Sequence, residues 1–139
     1  MIKVLSIDHI VMRTSEPGRM VEFYRDVLNC QTERSLPPDI GLTQLRAGDA
    51  LIDIVDVESQ LGRAGGEAPQ KSGNNLDHFC LRVACEEQEL LSELDRRGIE
   101  HGGFEERYGG DGFGPSVYIS DPDGNTLELR PTLNLQQPN

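Results

Sequence analysis

Ile7-Asp8-His9-Ile10-Val11-Met12-Arg13 and Leu76-Asp77-His78-Phe79-Cys80-Leu81-Arg82 match in character at every position, and the second stretch begins 69 residues after the first, at 76 against 7. Each has the length of a strand and is rich in large apolar or β-branched side chains. An amphipathic stretch at helical spacing follows each one. In the first copy Ser15 is a candidate cap, Pro17 stands in the first turn, and Met20, Val21, Phe23, Tyr24, Val27 and Leu28 form one apolar face. In the second, Leu90, Leu91 and Leu94 repeat the pattern and Gly98 supplies the stop. Strand-like runs return afterwards, at roughly 31–36, 41–46 and 50–57 in the first half and 100–106, 116–120 and 126–130 in the second. Each half reads β-α-β-β-β, so the spacing predicts an α+β protein of two tandem modules.

Module 1 covers about residues 2–57 and module 2 about 75–131. Residues 58–74 hold Gly62, Gly65, Gly66, Pro69 and Gly73 among scattered polar residues, which predicts a linker without an element of its own. A second glycine-rich stretch, Gly109-Gly110-Asp111-Gly112-Phe113-Gly114-Pro115, is either a flexible connection or a lid over a site. The tail 132–139 is expected to fray.

The 139 residues suit one domain with a sizeable core, and 36% hydrophobic with 27% charged residues is an ordinary globular composition. The formal net charge of −11 repels phosphate backbones and anionic bilayers, so nucleic acid and membrane surfaces are poor partners. No apolar run approaches the roughly 20 residues of a membrane span, and the first residues lack a signal-peptide core, which points to the cytoplasm. Cys30, Cys80 and Cys85 are odd in number and lack a CxxC spacing, as expected of reduced thiols.

Strand alternation separates the polar residues from the helix-facing ones. Ile10 and Met12 share one face of the first strand, with His9, Val11 and Arg13 on the other. Phe79 and Leu81 oppose His78, Cys80 and Arg82 in the same way. In the last strand of each half Asp53 opposes Ile52 and Ile54, and Glu128 opposes Leu127 and Leu129. Each half thus offers one imidazole and one carboxylate on its non-helical face. A carboxylate within Leu51-Ile52-Asp53-Ile54-Val55 is costly unless solvated, paired or bound to a cation. Two imidazoles and two carboxylates form a donor set suited to a divalent Mn, Fe, Co, Ni or Zn ion. His101 has no counterpart in the first half and reads as an ordinary surface histidine.

The duplicated plan, the Asp-His pairs at His9 and His78, the segment Phe23-Tyr24-Arg25-Asp26-Val27-Leu28 and above all Tyr118-Ile119-Ser120-Asp121-Pro122-Asp123-Gly124-Asn125-Thr126-Leu127-Glu128 resemble the vicinal oxygen chelate superfamily, home of glyoxalase I. The resemblance spans about residues 2–131. It implies an eight-stranded, partly open barrel-like cleft with the helices outside, and a divalent metal ion held by His9, Asp53, His78 and Glu128. Position 53 departs from the glyoxalase pattern, where glutamate is usual. The shorter aspartate either binds through water or leaves His9, His78 and Glu128 as a facial triad.

The resemblance further implies a metal-dependent glyoxalase-like enzyme of lyase or isomerase type. Its substrate would be a small molecule with vicinal oxygens, thiol adducts included, handled through an enediolate or alkoxide stabilised by the ion. Glu128 or Asp53 would move the proton. Arg13, Arg46, Arg82 and Arg130 are candidate anchors for an acidic substrate, with Gln44 and Tyr118 lining the cleft. A thiol transferase of the fosfomycin-resistance kind and a non-catalytic protein that sequesters a small molecule or antibiotic are the alternatives. Ring-cleaving dioxygenases are disfavoured, because Gly109, Gly110 and Asp111 occupy the window where that pattern places a histidine. Relatives of this kind often pair modules between chains, so a homodimer is expected.

Overall fold

The computed structural model describes residues 1, 3–70, 72–74 and 76–132, in two compact units, residues 1–74 and 75–139. The tail expected to fray lies, beyond residue 132, outside the described residues.

Parallel pairing of β1 (His9–Thr14) with β4 (Ala50–Asp56) organises the first unit. β2 (Thr32–Ser35) and β3 (Leu42–Ala47) continue the sheet antiparallel, giving the order β1-β4-β3-β2. The short helix α1 (Pro17–Glu22) packs on β4 and runs into a π-helical turn, Phe23–Val27. Met20, Phe23 and Tyr24 are buried from this segment, together with Met12, Leu45, Ile52 and Ile54 from the strands. Of the apolar face read from the sequence, Met20, Phe23 and Tyr24 enter the core, while Val21, Val27 and Leu28 are half-buried. Ser15 does not cap the helix. Glu16 holds that position without a side-chain cap, and its N–H donates instead to the buried Thr14 hydroxyl at 3.0 Å.

The second unit repeats the scheme with β5 (His78–Val83), α3 (Glu87–Arg96), β6 (Glu105–Gly109), β7 (Gly112–Ser120) and β8 (Thr126–Pro131), in the sheet order β5-β8-β7-β6. β5 and β8 are parallel and the other pairs antiparallel. Helix α3 begins with a capping box between Glu86 and Glu89 and buries Leu90 and Leu94. Val117, Ile119, Leu127 and Leu129 are buried from the sheet. The Asp121-Pro122-Asp123-Gly124-Asn125 turn closes on its own first residue. The buried Asp121 carboxylate accepts the N–H groups of Asp123 and Asn125 at 2.9 Å each and the Asn125 amide at 2.8 Å.

Two expectations are overturned. Residues 58–74 contain a helix, α2 (Gln60–Gly65), started by Ser59, whose hydroxyl accepts the Gly62 N–H at 3.1 Å. Gly62 looks like a breaker in the sequence, yet a Cβ there would stand 1.9 Å from the Asp56 carbonyl oxygen, so the glycine serves close packing on the end of β4. The Gly109–Pro115 stretch is not a loose connection but a β-hairpin, in which Gly109 pairs with Gly112 and Gly110-Asp111 turns the chain. Gly112 has a φ of +91°, which a side chain would resist. Correspondingly β6 starts at Glu105 rather than near 100.

Gly62→Ala should destabilise the protein by about 1–3 kcal/mol through this overpacking. Gly18→Ala, in α1 with open space around it, should stabilise it by up to about 1 kcal/mol. Equilibrium denaturant titrations of the two variants should move in opposite directions.

Candidate functional site

The two sheets place equivalent side chains at equivalent register. In the first unit Val11 on β1, Asp53 on β4 and Gln44 on β3 are direct cross-strand partners. In the second the same row is Cys80 on β5, Glu128 on β8 and Tyr118 on β7. His9 and His78 stand two residues before Val11 and Cys80, on the same faces. Alternation puts Ile52, Ile54, Leu127 and Leu129 in the cores, so Asp53 and Glu128 must take the opposite side. Both carboxylates are nevertheless buried, at 4% and 7% exposure. The polar face is not merely wetted.

Each histidine is oriented by the aspartate before it. His9 Nδ1 lies 2.6 Å from Asp8 Oδ1, and His78 Nδ1 lies 2.6 Å from Asp77 Oδ1. Both pKa values are raised above 6.5, chiefly by these hydrogen bonds, with Asp53 adding to His9 and Glu128 to His78. A proton held on Nδ1 leaves Nε2 of the neutral ring free for a ligand role. His78 Nε2 lies 3.3 Å from Glu128 Oε1. Two ligands in adjacent positions on one ion at about 2.0–2.2 Å stand roughly 3 Å apart, so this pair fits half of a coordination shell.

Glu128 has both oxygens engaged. Ser116 donates to Oε2 at 2.8 Å and Tyr118 donates to Oε1 at 3.0 Å. Burial would raise its pKa, but the hydrogen bonds from Ser116, Cys80 and Tyr118, with the charge of His78, hold it below the ordinary carboxylate value. Asp53 is arranged otherwise. Its Oδ2 accepts from Gln44 Nε2 at 3.0 Å, while its buried Oδ1 has no hydrogen-bond partner among the described residues. An orphaned buried carboxylate oxygen fits a site that receives a cation or a proton. Among the described residues no three His, Cys, Asp or Glu side chains gather as a ligand cluster. The imidazole and carboxylate expected of the site occur once in each unit.

All six candidate substrate contacts have partners. Gln44 and Tyr118 hold the carboxylates. Arg46 pairs with Glu33 at 3.1 Å, Arg82 pairs with Asp111, and Arg13 donates to the Glu67 carbonyl. Arg130 is buried and donates to the Gly112 carbonyl at 2.9 Å and to that of Arg107, and a Cβ on Gly109 would meet its guanidinium at 2.0 Å. It clamps the β6–β7 hairpin from beneath. Sequence reading missed Arg34, Arg107 and Ser116, which support the carboxylates. For Ser116 the available signal was alternation on β7, which puts it on the face of Tyr118, and no local pattern pointed to Arg34 or Arg107. His101, expected at the surface as an ordinary residue, bridges Asp95 at 2.7 Å and the Gly102 carbonyl.

The profile of the Glyoxalase/Bleomycin resistance protein/Dioxygenase superfamily matches residues 6–129, across both units, and the chain belongs to that superfamily. Among its relatives is the virulence protein STM3117 of Salmonella typhimurium, 28% identical over 127 residues that make up 88% of this chain and 81% of that protein. The crystal structure of that relative superposes with a TM-score of 0.74 at 26% identity, over 94% of this chain and 98% of the other. A lactoylglutathione lyase from Agrobacterium tumefaciens shares the fold with a TM-score of 0.65 at 23% identity, over 94% and 96% of the two chains. An integron cassette protein from V. cholerae shares it at 0.76 and 21% identity, over 94% and 98%. No helix among the described residues is long and apolar enough to cross a membrane.

Cys80 offers a chemical readout of the site. Its thiol is pushed up to about 12, first by desolvation of the sulfur and then by the Glu128 carboxylate. At pH 8 its alkylation should therefore be slower than that of a free cysteine by about two to three orders of magnitude. Glu128→Gln should speed it, as followed by mass spectrometry of iodoacetamide-treated protein.

Proposed function

We propose that the protein is a metal-dependent glyoxalase-like enzyme acting on a small molecule with two adjacent oxygens, thiol adducts included. The observation that carries this reading is the 3.3 Å approach of His78 Nε2 to Glu128 Oε1, with Nδ1 tied to Asp77 and with an equivalent imidazole and carboxylate in the first unit. His9, His78 and Glu128, with Asp53 directly or through water, would hold one divalent Mn, Fe, Co, Ni or Zn ion. The chemistry such an ion supplies when bound is Lewis-acid stabilisation of negative charge on the substrate oxygens, on the order of several kcal/mol.

The two carboxylates then divide the work. Glu128, with both oxygens satisfied and its pKa lowered, serves as a fixed ligand. Asp53 keeps Oδ1 unengaged in a buried setting, so this oxygen accepts the proton from the substrate and returns it. Asp8 and Asp77 keep the imidazoles in the tautomer that presents Nε2. A homodimer in the cytoplasm is the form proposed here.

Metal-free protein titrated with Co²⁺ should bind about one ion per chain, and a thiol-dependent screen of 2-oxoaldehydes should reveal turnover in the loaded protein. His9→Ala, His78→Ala and Glu128→Gln should lose the ion. Asp53→Asn should retain more of it but lower turnover by about 10²–10⁴-fold, as for a lost general base. Unchanged Co²⁺ binding in both histidine variants would refute the reading, and a monomer mass by light scattering would refute the dimer.

The imidazoles must be neutral to bind the ion, and both have pKa values raised above 6.5. Proton competition therefore extends to higher pH than for ordinary histidines. Affinity should be full only above these raised values and fall as pH drops through them, as equilibrium dialysis between about pH 5 and 9 can measure.

A further inference from the structure

Arg34 and Arg107 are exposed, carry no motif and lie on the outer strands of their sheets, yet each sits behind one of the buried carboxylates. Arg34, the cross-strand partner of Gln44, donates from Nε to Gln44 Oε1 at 2.9 Å. That contact turns the Gln44 amide so that its Nε2 must face Asp53, to which it donates at 3.0 Å. In the second unit Arg107 donates from Nε to the Tyr118 hydroxyl at 3.3 Å, and its guanidinium lies 6.0 Å from the Tyr118 ring centroid. The same hydroxyl donates to Glu128 Oε1 at 3.0 Å, and the Tyr118 ring meets the His78 imidazole edge-on at 5.6 Å. Each half thus has the same three-part chain, a guanidinium, a neutral polar side chain and a carboxylate. Different residues fill the middle position.

A hydroxyl or amide serves two masters only if its polarity is directed. With a cation at its acceptor side, Tyr118 must offer its proton to Glu128, and Gln44 must offer its N–H to Asp53. The cation also polarises the middle group and strengthens the bond it donates. Arg107 has competing contacts with the Glu105 carboxylate and the Glu106 carbonyl, so it is already immobilised in front of Tyr118.

We propose that Arg34 and Arg107 are positioning residues that act through Gln44 and Tyr118 to fix the orientation of Asp53 and Glu128. This rests on the metal-dependent reading above. It makes Gln44 and Tyr118 parts of the ligand scaffold rather than substrate contacts. It also separates the two carboxylates, since Gln44 bonds one Asp53 oxygen and leaves the other open, whereas Tyr118 and Ser116 each donate to one oxygen of Glu128 and so fix its orientation while a lone pair on each oxygen remains for a ligand role.

Co²⁺ is the probe, read by calorimetric titration and by the visible absorption of the bound ion, with thermal unfolding of the metal-free protein as a control for folding. Tyr118→Phe keeps the ring against His78 and removes only the hydroxyl. It should weaken Co²⁺ binding by about 10–100-fold and shift the visible spectrum, at unchanged unfolding temperature. Arg107→Met should weaken binding in the same sense by a smaller factor, and should add nothing in the Tyr118→Phe background, because its effect passes through that hydroxyl. Arg34→Met should likewise lose its effect in a Gln44→Ala background. If Glu128→Gln abolishes Co²⁺ binding while Tyr118→Phe and Arg107→Met bind and absorb like the wild type, the positioning role is wrong and the metal reading stands. Additive losses from Arg107→Met and Tyr118→Phe would also overturn it. If Glu128→Gln binds Co²⁺ unchanged, the metal reading fails and this proposal fails with it.

Discussion

The parallel registers Val11 to Asp53 and Cys80 to Glu128 are the constraint on which the rest depends. A slip of one residue in either pair would turn a carboxylate into the core and expose its isoleucine or leucine neighbours. The core forbids it. Ile52, Ile54, Leu127 and Leu129 are almost fully buried, and each is worth about 1.5–3 kcal/mol in place. Hydrophobic burial on one face therefore determines the position of the polar groups on the other, with no attraction between the polar groups required.

That arrangement leaves two carboxylates in poorly solvated positions, and the halves handle them differently. In the second unit Ser116, Tyr118, Cys80 and His78 surround Glu128 and hold it ionised despite burial. In the first, Gln44 satisfies one oxygen of Asp53 and the other has no partner among the described residues. A duplicated frame has thus diverged into one saturated and one unsaturated acid. The proposed roles of a steady ligand and a proton acceptor build on this difference.

Arginines in this acidic chain are mostly committed to the fold. Arg130 lies beneath the β6–β7 hairpin, donating to backbone carbonyls in space left by Gly109 and Gly114, while Arg82 reaches Asp111 at the hairpin turn. Two of the glycines that suggest mobility in the sequence, Gly109 and Gly114, leave room for a guanidinium. Loop-like composition and a clamped strand pair are compatible, because a missing side chain can make room for a neighbour as readily as it frees the backbone.

The two-module α+β plan and the strand faces were legible in the sequence, because period-two alternation and a repeat are local patterns that burial enforces. The Asp-His pairs and the Asp121–Asn125 turn were equally plain, since their partners are one to four residues apart. Helix α2 and the glycine hairpin were not, for Gly62 answers to the backbone at the end of β4 and Gly109 to Arg130, two strands away in the sheet order. Nor could alternation say that Arg34 and Arg107 back the carboxylates, or that among the described residues one oxygen of Asp53 stays without a hydrogen bond while both oxygens of Glu128 accept one. Those facts depend on which side chains meet across strands, and only the tertiary register brings them within bonding distance.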